Sequence, residues 1–560
     1  MELKRNRRIL LIRPAYSNII YDKVYEPTND SDIDREIRPP LGLMALAGYL
    51  QQYGHDVEII DGEPDLWDQE ETVRRALAFT PDIVGITSTT PEYPFAFQII
   101  KGIKESNPEI VTVMGGAHVT NLPEHTANNL GELIDWCVLY EGEKPLAAIA
   151  NGTAQDYTWP GSDNPKLLMD KKRLNSGELS SFQPSREVLD MSRYKYVDSE
   201  SGLVKNDALE AARGCPFKCT FCTSRMTSVS VRSSEAILSE VINSANNYQT
   251  KMFMFFDDTF TLSRTRATEL FSKIVWHKEN GNIPRDVRFY GFTRANAIYD
   301  MEFLLLLKKA GCDKITFGIE TGSAELLKNV DKGTTKDDYR RVYGMLEEAG
   351  ILKRGSFILG FPHEKESTIW ESINFALELN LDEVGVNILT PYPGQLTLRQ
   401  AFEGEGLWLR DEFHYKEFQK DNKHVNWHKY WSMYKRWGVS VIETEELSGG
   451  ALQYFHGVFL QEVYGSEQMA IRRKIQLDAG NNDAYWHRPW RINSERKLER
   501  KEREQTHGKP IFTEPMHRSY TYNPIRVREY QKRELLFSGK GKKNFVPKKF
   551  SEETVLESAV

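Results

Sequence analysis

The sequence is poor in cysteine and lacks an apolar run long enough to cross a membrane. Five cysteines in 560 residues are too few for a disulfide scaffold. No run approaches the ~18 apolar residues that a transmembrane helix needs. After a basic start, the apolar run 9–12 stops at Arg13, which is too short for the ~7–15 residues of a signal-peptide core. We therefore expect reduced thiols, a cytoplasmic location and no contact with a membrane.

The sequence also lacks a strong excess of charge, internal repeats and low-complexity tracts. Lys plus Arg number 73 and Asp plus Glu 80, for a formal net charge of -7, while 40% of the residues are hydrophobic. Such a chain has enough apolar material for two or three packed domains. These values exclude a disordered chain, a fibre and an integral membrane protein.

Before residue 150, short apolar runs alternate with stretches of helical periodicity, which is typical of a parallel sheet covered by helices. We predict strands near 8–12, 57–60, 83–86, 111–114 and 136–139, and helices near 41–53, 70–79 and 94–106. Ligands of such doubly wound domains bind at the carboxyl ends of the strands. Here those ends carry Arg13-Pro14, Asp61-Gly62, Thr87-Ser88-Thr89 and Gly115-Gly116-Ala117-His118.

The remaining chain divides by composition into four further regions. We predict a connector at 151–207, a second α/β domain of barrel length at 208–400, a helical C-terminal region at 401–485 and a basic tail at 486–560. Within the tail, residues 488–550 hold 18 Lys plus Arg against 7 Asp plus Glu. Such a block is typical of a solvated tail, with nucleic acid or another acidic partner as the alternative.

Three of the five cysteines lie within eight residues, as Cys215-Pro216-Phe217-Lys218-Cys219-Thr220-Phe221-Cys222. A structural zinc site takes four ligands, usually from two separated pairs, and the sequence offers no second cysteine pair. Three thiolates in C-x3-C-x2-C spacing instead suit an iron–sulfur cubane with one iron left open. Cys137 and Cys312 stand alone in apolar segments and are predicted to be small buried hydrophobic residues.

This cysteine motif, with Phe221 before the last thiol, resembles the signature of the radical SAM superfamily. The resemblance implies a 4Fe-4S cluster on Cys215, Cys219 and Cys222. Its open iron would chelate S-adenosylmethionine (SAM), which the cluster cleaves to a 5'-deoxyadenosyl radical. It also implies a partial (β/α)6 barrel, with the cluster loop after a first strand that we place at 208–213.

Downstream motifs strengthen the resemblance and carry further site residues. Asp257 and Asp258, in Phe255-Phe256-Asp257-Asp258, are similar to the acidic element near the SAM methionyl group. Arg294 is similar to a barrel arginine that reaches the SAM carboxylate. Glu320, in Gly318-Ile319-Glu320-Thr321-Gly322, matches the segment whose glutamate bonds the ribose. The resemblance therefore assigns Phe221, Asp257, Asp258, Arg294 and Glu320 to SAM binding.

The front domain resembles the cobalamin-binding type found in one radical SAM subclass. The matching pieces are Arg38-Pro39-Pro40-Leu41-Gly42-Leu43, Gly85-Ile86-Thr87-Ser88-Thr89, Gly115-Gly116-Ala117-His118 and Glu141-Gly142-Glu143. The resemblance assigns Thr87, Ser88, Thr89, Gly115, Gly116 and His118 to cobalamin. The axial-histidine motif is absent, because the chain reads Asp61-Gly62-Glu63-Pro64-Asp65-Leu66. A front domain that keeps this fold as a substrate or structural module is the alternative.

The expected protein is thus of the α/β class. A Rossmann-like domain of cobalamin-binding type precedes a partial radical SAM barrel and a helical C-terminal region. The implied reaction is cobalamin-dependent methylation of an unactivated carbon in a small-molecule or peptide substrate, with flavodoxin or ferredoxin as electron donor. Oxidative cyclisation or rearrangement without methyl transfer is the alternative, and a non-enzymatic nucleic-acid-binding or scaffold protein is a remote one. Thiomethylation is disfavoured, because only Cys137 is available in the front domain for a second cluster.

Overall fold

The computed structural model describes residues 6–15, 37–198, 202–409 and 440–466. Its front part is a parallel six-stranded sheet in the order β2-β1-β3-β4-β5-β6. The strands are β1 Arg8–Arg13, β2 Asp56–Asp61, β3 Ile83–Thr87, β4 Val111–Gly115, β5 Trp136–Leu139 and β6 Leu167–Met169. The order reverses between β1 and β3, which makes their carboxyl ends the switch point where ligands of such sheets bind.

Helices cover both faces of this sheet and bury it in two apolar layers. Their bounds are Leu41–Gln51, Gln69–Phe79, Tyr93–Ser106, Ala117–Asn121, Pro123–Leu130 and Glu143–Asn151. The predicted doubly wound domain is confirmed, and its strands fall within two residues of their expected bounds. Strand β6 was not foreseen. It lies in the segment predicted as a connector, where a three-residue apolar run carries no recognisable period.

The second sheet has seven strands in the order β15-β14-β13-β12-β11-β8-β7. Six run parallel and form the partial (β/α)6 barrel, while β7 pairs antiparallel with β8 at the edge. The bounds are β7 Lys195–Asp198, β8 Gly202–Leu209, β11 Met252–Phe255, β12 Arg288–Thr293, β13 Lys314–Glu320, β14 Leu352–Leu359 and β15 Glu383–Ile388. The barrel helices are Ser234–Asn247, Arg264–Glu279, Met301–Ala310, Ala324–Asn329, Lys336–Ala349 and Glu366–Glu378.

Local signals fix where several barrel helices begin and end. The side chains of Ser233, Asp300 and Thr335 each accept a hydrogen bond from a backbone N–H in the first turn of the helix that follows. Two of these helices end at glycines in the left-handed conformation, Gly311 and Gly350. Capping oxygens and C-terminal glycines satisfy backbone groups that a helix end leaves unpaired.

The first barrel strand ends earlier than the sequence suggested, at Leu209 instead of Arg213. The backbone N–H groups of Ala211 and Ala212 donate to the carboxylate of Asp257, at 3.0 and 2.6 Å. The chain then forms a separate two-stranded ladder from β9 Ala212–Arg213 and β10 Ser230–Val231. Just before the cysteine loop, the backbone therefore bonds to a buried carboxylate instead of to the neighbouring strand.

After the barrel, the described chain contains two helices and a two-stranded ladder. These are the helix Leu396–Glu403, β16 Leu407–Leu409, β17 Ile442–Thr444, which pairs with β16, and the helix Gly449–Gly465. The aromatic residues at 427–437 and the basic tail fall outside the described residues. Within the described ranges, no helix is long and apolar enough to cross a membrane.

Candidate functional site

The three clustered cysteines lie in a loop whose two ends are joined by hydrogen bonds. Gly214 has φ +94°, and a side chain there would collide with the backbone of Ser228. The N–H of Cys215 donates to the hydroxyl of Thr227 at 2.7 Å, and the N–H of Thr227 donates to the carbonyl of Cys215 at 2.9 Å. Glycine is needed where a backbone approaches this closely in the left-handed region.

The thiols of this loop fit an iron–sulfur cluster. All three are free, with Cys215 and Cys219 buried and Cys222 half-buried. Burial raises the pKa of Cys215, and it raises the pKa of Cys222 to about 11. These two thiols therefore need a bound cation to become thiolates at neutral pH. In the described chain, no three His, Cys, Asp or Glu side chains lie close enough together to bind a single metal ion. A cubane instead takes one thiolate per iron.

A buried arginine lies directly against the loop. The Nη1 atom of Arg294 is 3.3 Å from the Sγ atom of Cys219, and its guanidinium carbon is 3.8 Å from the ring centroid of Phe217. Its Nη2 group donates to the carbonyl oxygen of Lys332. The structure thus places Arg294 at the cysteine loop, where a fixed positive charge faces an anionic cluster or a carboxylate.

Lys332, whose carbonyl accepts from Arg294, forms a buried ion pair with Glu320. Lys332 Nζ is 2.6 Å from Glu320 Oε1 and 5.7 Å from the ring centroid of Phe221. Burial opposes the charge of Lys332, but the Glu320 carboxylate together with Tyr339 and Cys219 more than offsets it, so that the pKa of the lysine is raised. Glu320 has φ +69°, which is uncommon for a residue other than glycine. Sequence reasoning missed Lys332, because a lysine is usually exposed.

The two predicted aspartates have different surroundings. Asp257 is buried and its two oxygens accept the backbone bonds of Ala211 and Ala212. Burial, with Glu210 nearby, raises the pKa of Asp257 to about 7. Asp258 interacts electrostatically with Cys215 and raises the pKa of that thiol, after the larger effect of burial. Asp257 therefore supports the loop, whereas Asp258 faces it, and their contacts with SAM stay predictions.

The predicted cobalamin residues meet where β3 and β4 end. The N–H of Ser88 donates to the carbonyl of Gly115, and the N–H of His118 donates to the carbonyl of Ser88, both at 3.0 Å. At Gly116, φ is +97° and a Cβ would lie 2.6 Å from the Ser88 oxygen. Thr89 is exposed at this edge, while its hydroxyl donates to Glu92 at 2.7 Å.

The same edge exposes small residues, which fits the close approach of a flat corrin to the backbone. Gly115 and Gly116 are half-exposed and Ala117 is exposed. Beside them Tyr140, at the end of β5, is 58% exposed with φ +59°. Its N–H donates to the hydroxyl of Thr120 at 2.9 Å. Sequence reasoning missed Tyr140. What singles out Tyr140 is its backbone conformation, which costs on the order of 1–3 kcal/mol. Residues strained in this way cluster at functional sites.

The segment that lacks the axial histidine is held by other contacts. Asp61 accepts hydrogen bonds from Arg13 Nε at 2.8 Å and Nη2 at 2.6 Å, and from the hydroxyl of Tyr194 at 2.7 Å. Asp61 is therefore committed to packing the end of β2 against the chain that leads into the barrel.

His118 is buried away from the open edge. Its side chain is 0% exposed, and neither ring nitrogen has a hydrogen-bond partner. The ring stacks on Tyr93 with centroids 4.0 Å apart. Burial, with His125 nearby, lowers the pKa of His118 to about 3. His118 therefore packs inside the front domain, and its contact with cobalamin stays a prediction.

We expect His118→Phe to stabilise the protein by about 1–3 kcal/mol at pH 7, because two orphaned ring nitrogens disappear while the stacking remains. The gain should grow at lower pH. Below ~6.5 the unfolded histidine takes up a proton that the folded one refuses, so the wild type loses about 2 kcal/mol between pH 7 and pH 5. Urea unfolding at both pH values measures the difference. A variant that is less stable at both, and that no longer retains hydroxocobalamin, would contradict the packing role.

Comparisons with known proteins agree with both halves of the chain. Residues 35–150 match the family model of the B12 binding domain, and residues 209–376 match that of the Radical SAM superfamily. An uncharacterized methyltransferase of Pyrococcus horikoshii is 32% identical over 381 residues, covering 66% of this chain and 80% of the relative. The anaerobic magnesium-protoporphyrin IX monomethyl ester cyclase of Rubrivivax gelatinosus is 26% identical over 374 residues, covering 63% of this chain and 65% of the cyclase.

The fold is also that of a solved radical S-adenosylmethionine methyltransferase, TsrM from Kitasatospora setae, with cobalamin and a 4Fe-4S cluster bound. It aligns with a TM-score of 0.57 at 20% identity, covering 72% of this chain and 81% of TsrM. The family matches, the 32% identical relative and this fold lead to one conclusion. The chain belongs to the radical SAM superfamily, in the subclass that carries an N-terminal cobalamin-binding domain.

Proposed function

We propose that this protein is a radical SAM enzyme that methylates an unactivated carbon with the help of cobalamin. The observation that carries the proposal is the loop of three free cysteines beside Arg294, on a chain whose front sheet ends in an edge lined by small residues. When bound, the cluster supplies the electron that cleaves SAM to a 5'-deoxyadenosyl radical, and cobalamin supplies the methyl group.

The chain's own residues would hold and orient these groups. Cys215, Cys219 and Cys222 each bind one iron, and the hydrogen bond from Arg294 to Cys219 keeps a positive charge at the cluster. Lys332, 2.6 Å from Glu320 Oε1, holds that carboxylate in place, and the carboxylate would accept bonds from the ribose hydroxyls. A buried, hydrogen-bonded carboxylate keeps its direction without reorganisation, which favours binding in one geometry.

The two domains would bind different cofactors. We propose that residues 1–150 bind cobalamin through Thr87, Thr89, Gly115, Gly116 and the exposed ring of Tyr140. Residues 208–400 then form the barrel in which SAM and the substrate meet. The substrate is a small molecule or a peptide, and the electron comes from a carrier such as flavodoxin or ferredoxin. A cytoplasmic location suits the five reduced cysteines.

Oxidative cyclisation without methyl transfer is the second candidate. It is favoured by the 26% identity to a cyclase over 374 residues. The two candidates share SAM cleavage and differ in the fate of the methyl group.

Anaerobic reconstitution of the full chain with iron, sulfide and hydroxocobalamin tests the proposal. After desalting, we expect corrin absorbance to remain with the protein and dithionite to produce 5'-deoxyadenosine. SAM carrying a labelled methyl group should then transfer the label to the corrin or to an added substrate. Cleavage without retained corrin would favour the cobalamin-free alternative, and absence of 5'-deoxyadenosine would refute the enzyme.

A further inference from the structure

Two glutamates that follow β5 in the front domain connect to the cysteine loop of the barrel, Glu143 directly and Glu141 through Arg173. The Oε1 atom of Glu143 is 2.8 Å from the Nη1 atom of Arg213. Glu143 is 3% exposed, and the side chain of Arg213 is 14% exposed. Arg213 directly precedes Gly214 and Cys215, so this ion pair holds the first stem of the loop.

The second stem is held through Glu141. Its Oε1 atom is 3.3 Å from Arg173 Nε, and Arg173 Nη1 donates to the carbonyl of Ser228 at 3.2 Å. The other oxygen of Glu141 accepts from the N–H of Leu174 at 2.6 Å. Ser228 lies two residues before Ser230 of β10, which pairs with Arg213 of β9. Both stems therefore connect to the three residues Glu141-Gly142-Glu143.

These contacts differ from ordinary surface ion pairs. Exposed pairs contribute about 0–1 kcal/mol, whereas removing one partner of a buried pair leaves an uncompensated charge and is costly. Arg213 also bonds Glu210, with Nε 2.8 Å from Oε2. If Arg213 were lost, two carboxylates from different domains would face each other across the junction, and like charges would push the loop away from the front domain.

We propose that Glu143 and Arg213 are positioning residues that fix the cysteine loop against the front domain. Because Glu141-Gly142-Glu143 follows β5 at the edge where the front-domain cofactor binds, the pair also sets the separation between that cofactor and the cluster. The second statement rests on the proposed function, whereas the first concerns the chain without any cofactor.

Hydrogen exchange of the full chain without cofactors tests the pair directly. In Glu143→Gln and in Arg213→Met, we expect amides of the 214–229 loop to exchange about tenfold faster, since the loop opens more often. The double variant should exchange no faster than Arg213→Met alone, because Glu143→Gln then has no contact with Arg213 left to break. Arg213→Lys, which keeps the charge, should restore slow exchange. Glu71→Gln is the matched control, since the partners of Glu71 among the described residues, Arg74 and Arg75, lie on its own front-domain helix.

Paramagnetic resonance of the reconstituted, reduced chain tests the consequence. We expect Glu143→Gln to bind as much iron as the wild type but to weaken the relaxation of the cobalt signal by the cluster. Unchanged exchange in both single variants, or additive effects in the double one, would overturn the pair. Altered exchange with unchanged cobalt relaxation would overturn the control of separation. If the wild type retains no cobalt, the proposed function is refuted, and so is the control of the cofactor–cluster separation. Hydrogen exchange then still decides whether Glu143 and Arg213 hold the loop.

Discussion

Changing Cys215, Cys219 and Cys222 together to alanine is expected to abolish iron binding and the formation of 5'-deoxyadenosine. Each thiolate is the sole protein ligand that we assign to one iron, and the described residues near the loop offer no other cysteine. The loss should exceed the ~10–100-fold that removal of an outer-shell partner costs. Iron content, the visible absorbance of the reconstituted protein and chromatographic detection of 5'-deoxyadenosine after dithionite measure it.

The matched control is Cys312→Ala. Cys312 is fully buried in the barrel core, and burial raises the pKa of its thiol well above the ordinary value. It is therefore an inert apolar side chain, and its variant should assemble the cluster at wild-type level. A triple variant that still cleaves SAM, or a Cys312 variant that loses iron selectively, would contradict the assignment of the cluster to the loop.

The second large effect is expected from Arg186→Met, which should lower the free energy of unfolding by about 3–5 kcal/mol. Arg186 is 3% exposed, with its Nη2 2.7 Å from Oε1 of Glu240 and its Nε bonded to Asp207. Glu240 also pairs with Arg232 at 2.7 Å. Because these four charged groups are buried together, removing one cation leaves an excess of negative charge without solvent.

This network includes Asp207, two residues before the end of β8, which is the strand that leads into the cysteine loop. Asp207 belongs to β8, Glu240 to the helix Ser234–Asn247, and Arg186 to the chain that arrives from the front domain. Urea unfolding followed by circular dichroism measures the loss. Arg340→Met is the control, because Arg340 forms exposed pairs with Asp337 and Glu378, and exposed pairs contribute little to the free energy of unfolding. A loss of similar size in both variants would contradict the role of burial.

The sequence predicted the parallel strands well because their evidence is local. Strands buried on both faces must be continuously apolar, and β1, with Ile9, Leu10, Leu11 and Ile12 all buried, shows this pattern. Strand ends were less predictable. The end of β8 depends on the carboxylate of Asp257, which comes from 46 residues further along the chain.

The sequence by itself determined the cluster motif, because three ligands in one loop need only the spacing of consecutive residues. It also determined the alternation of strands and helices, through the burial that each element requires. Only the tertiary structure decided which further charged residues support the loop from other elements. Lys332 and Arg213 look like ordinary surface residues in the sequence, and nothing there pairs Glu143 with Arg213. A buried charge is stable only beside a partner, and the partners of these residues come from other elements of the fold.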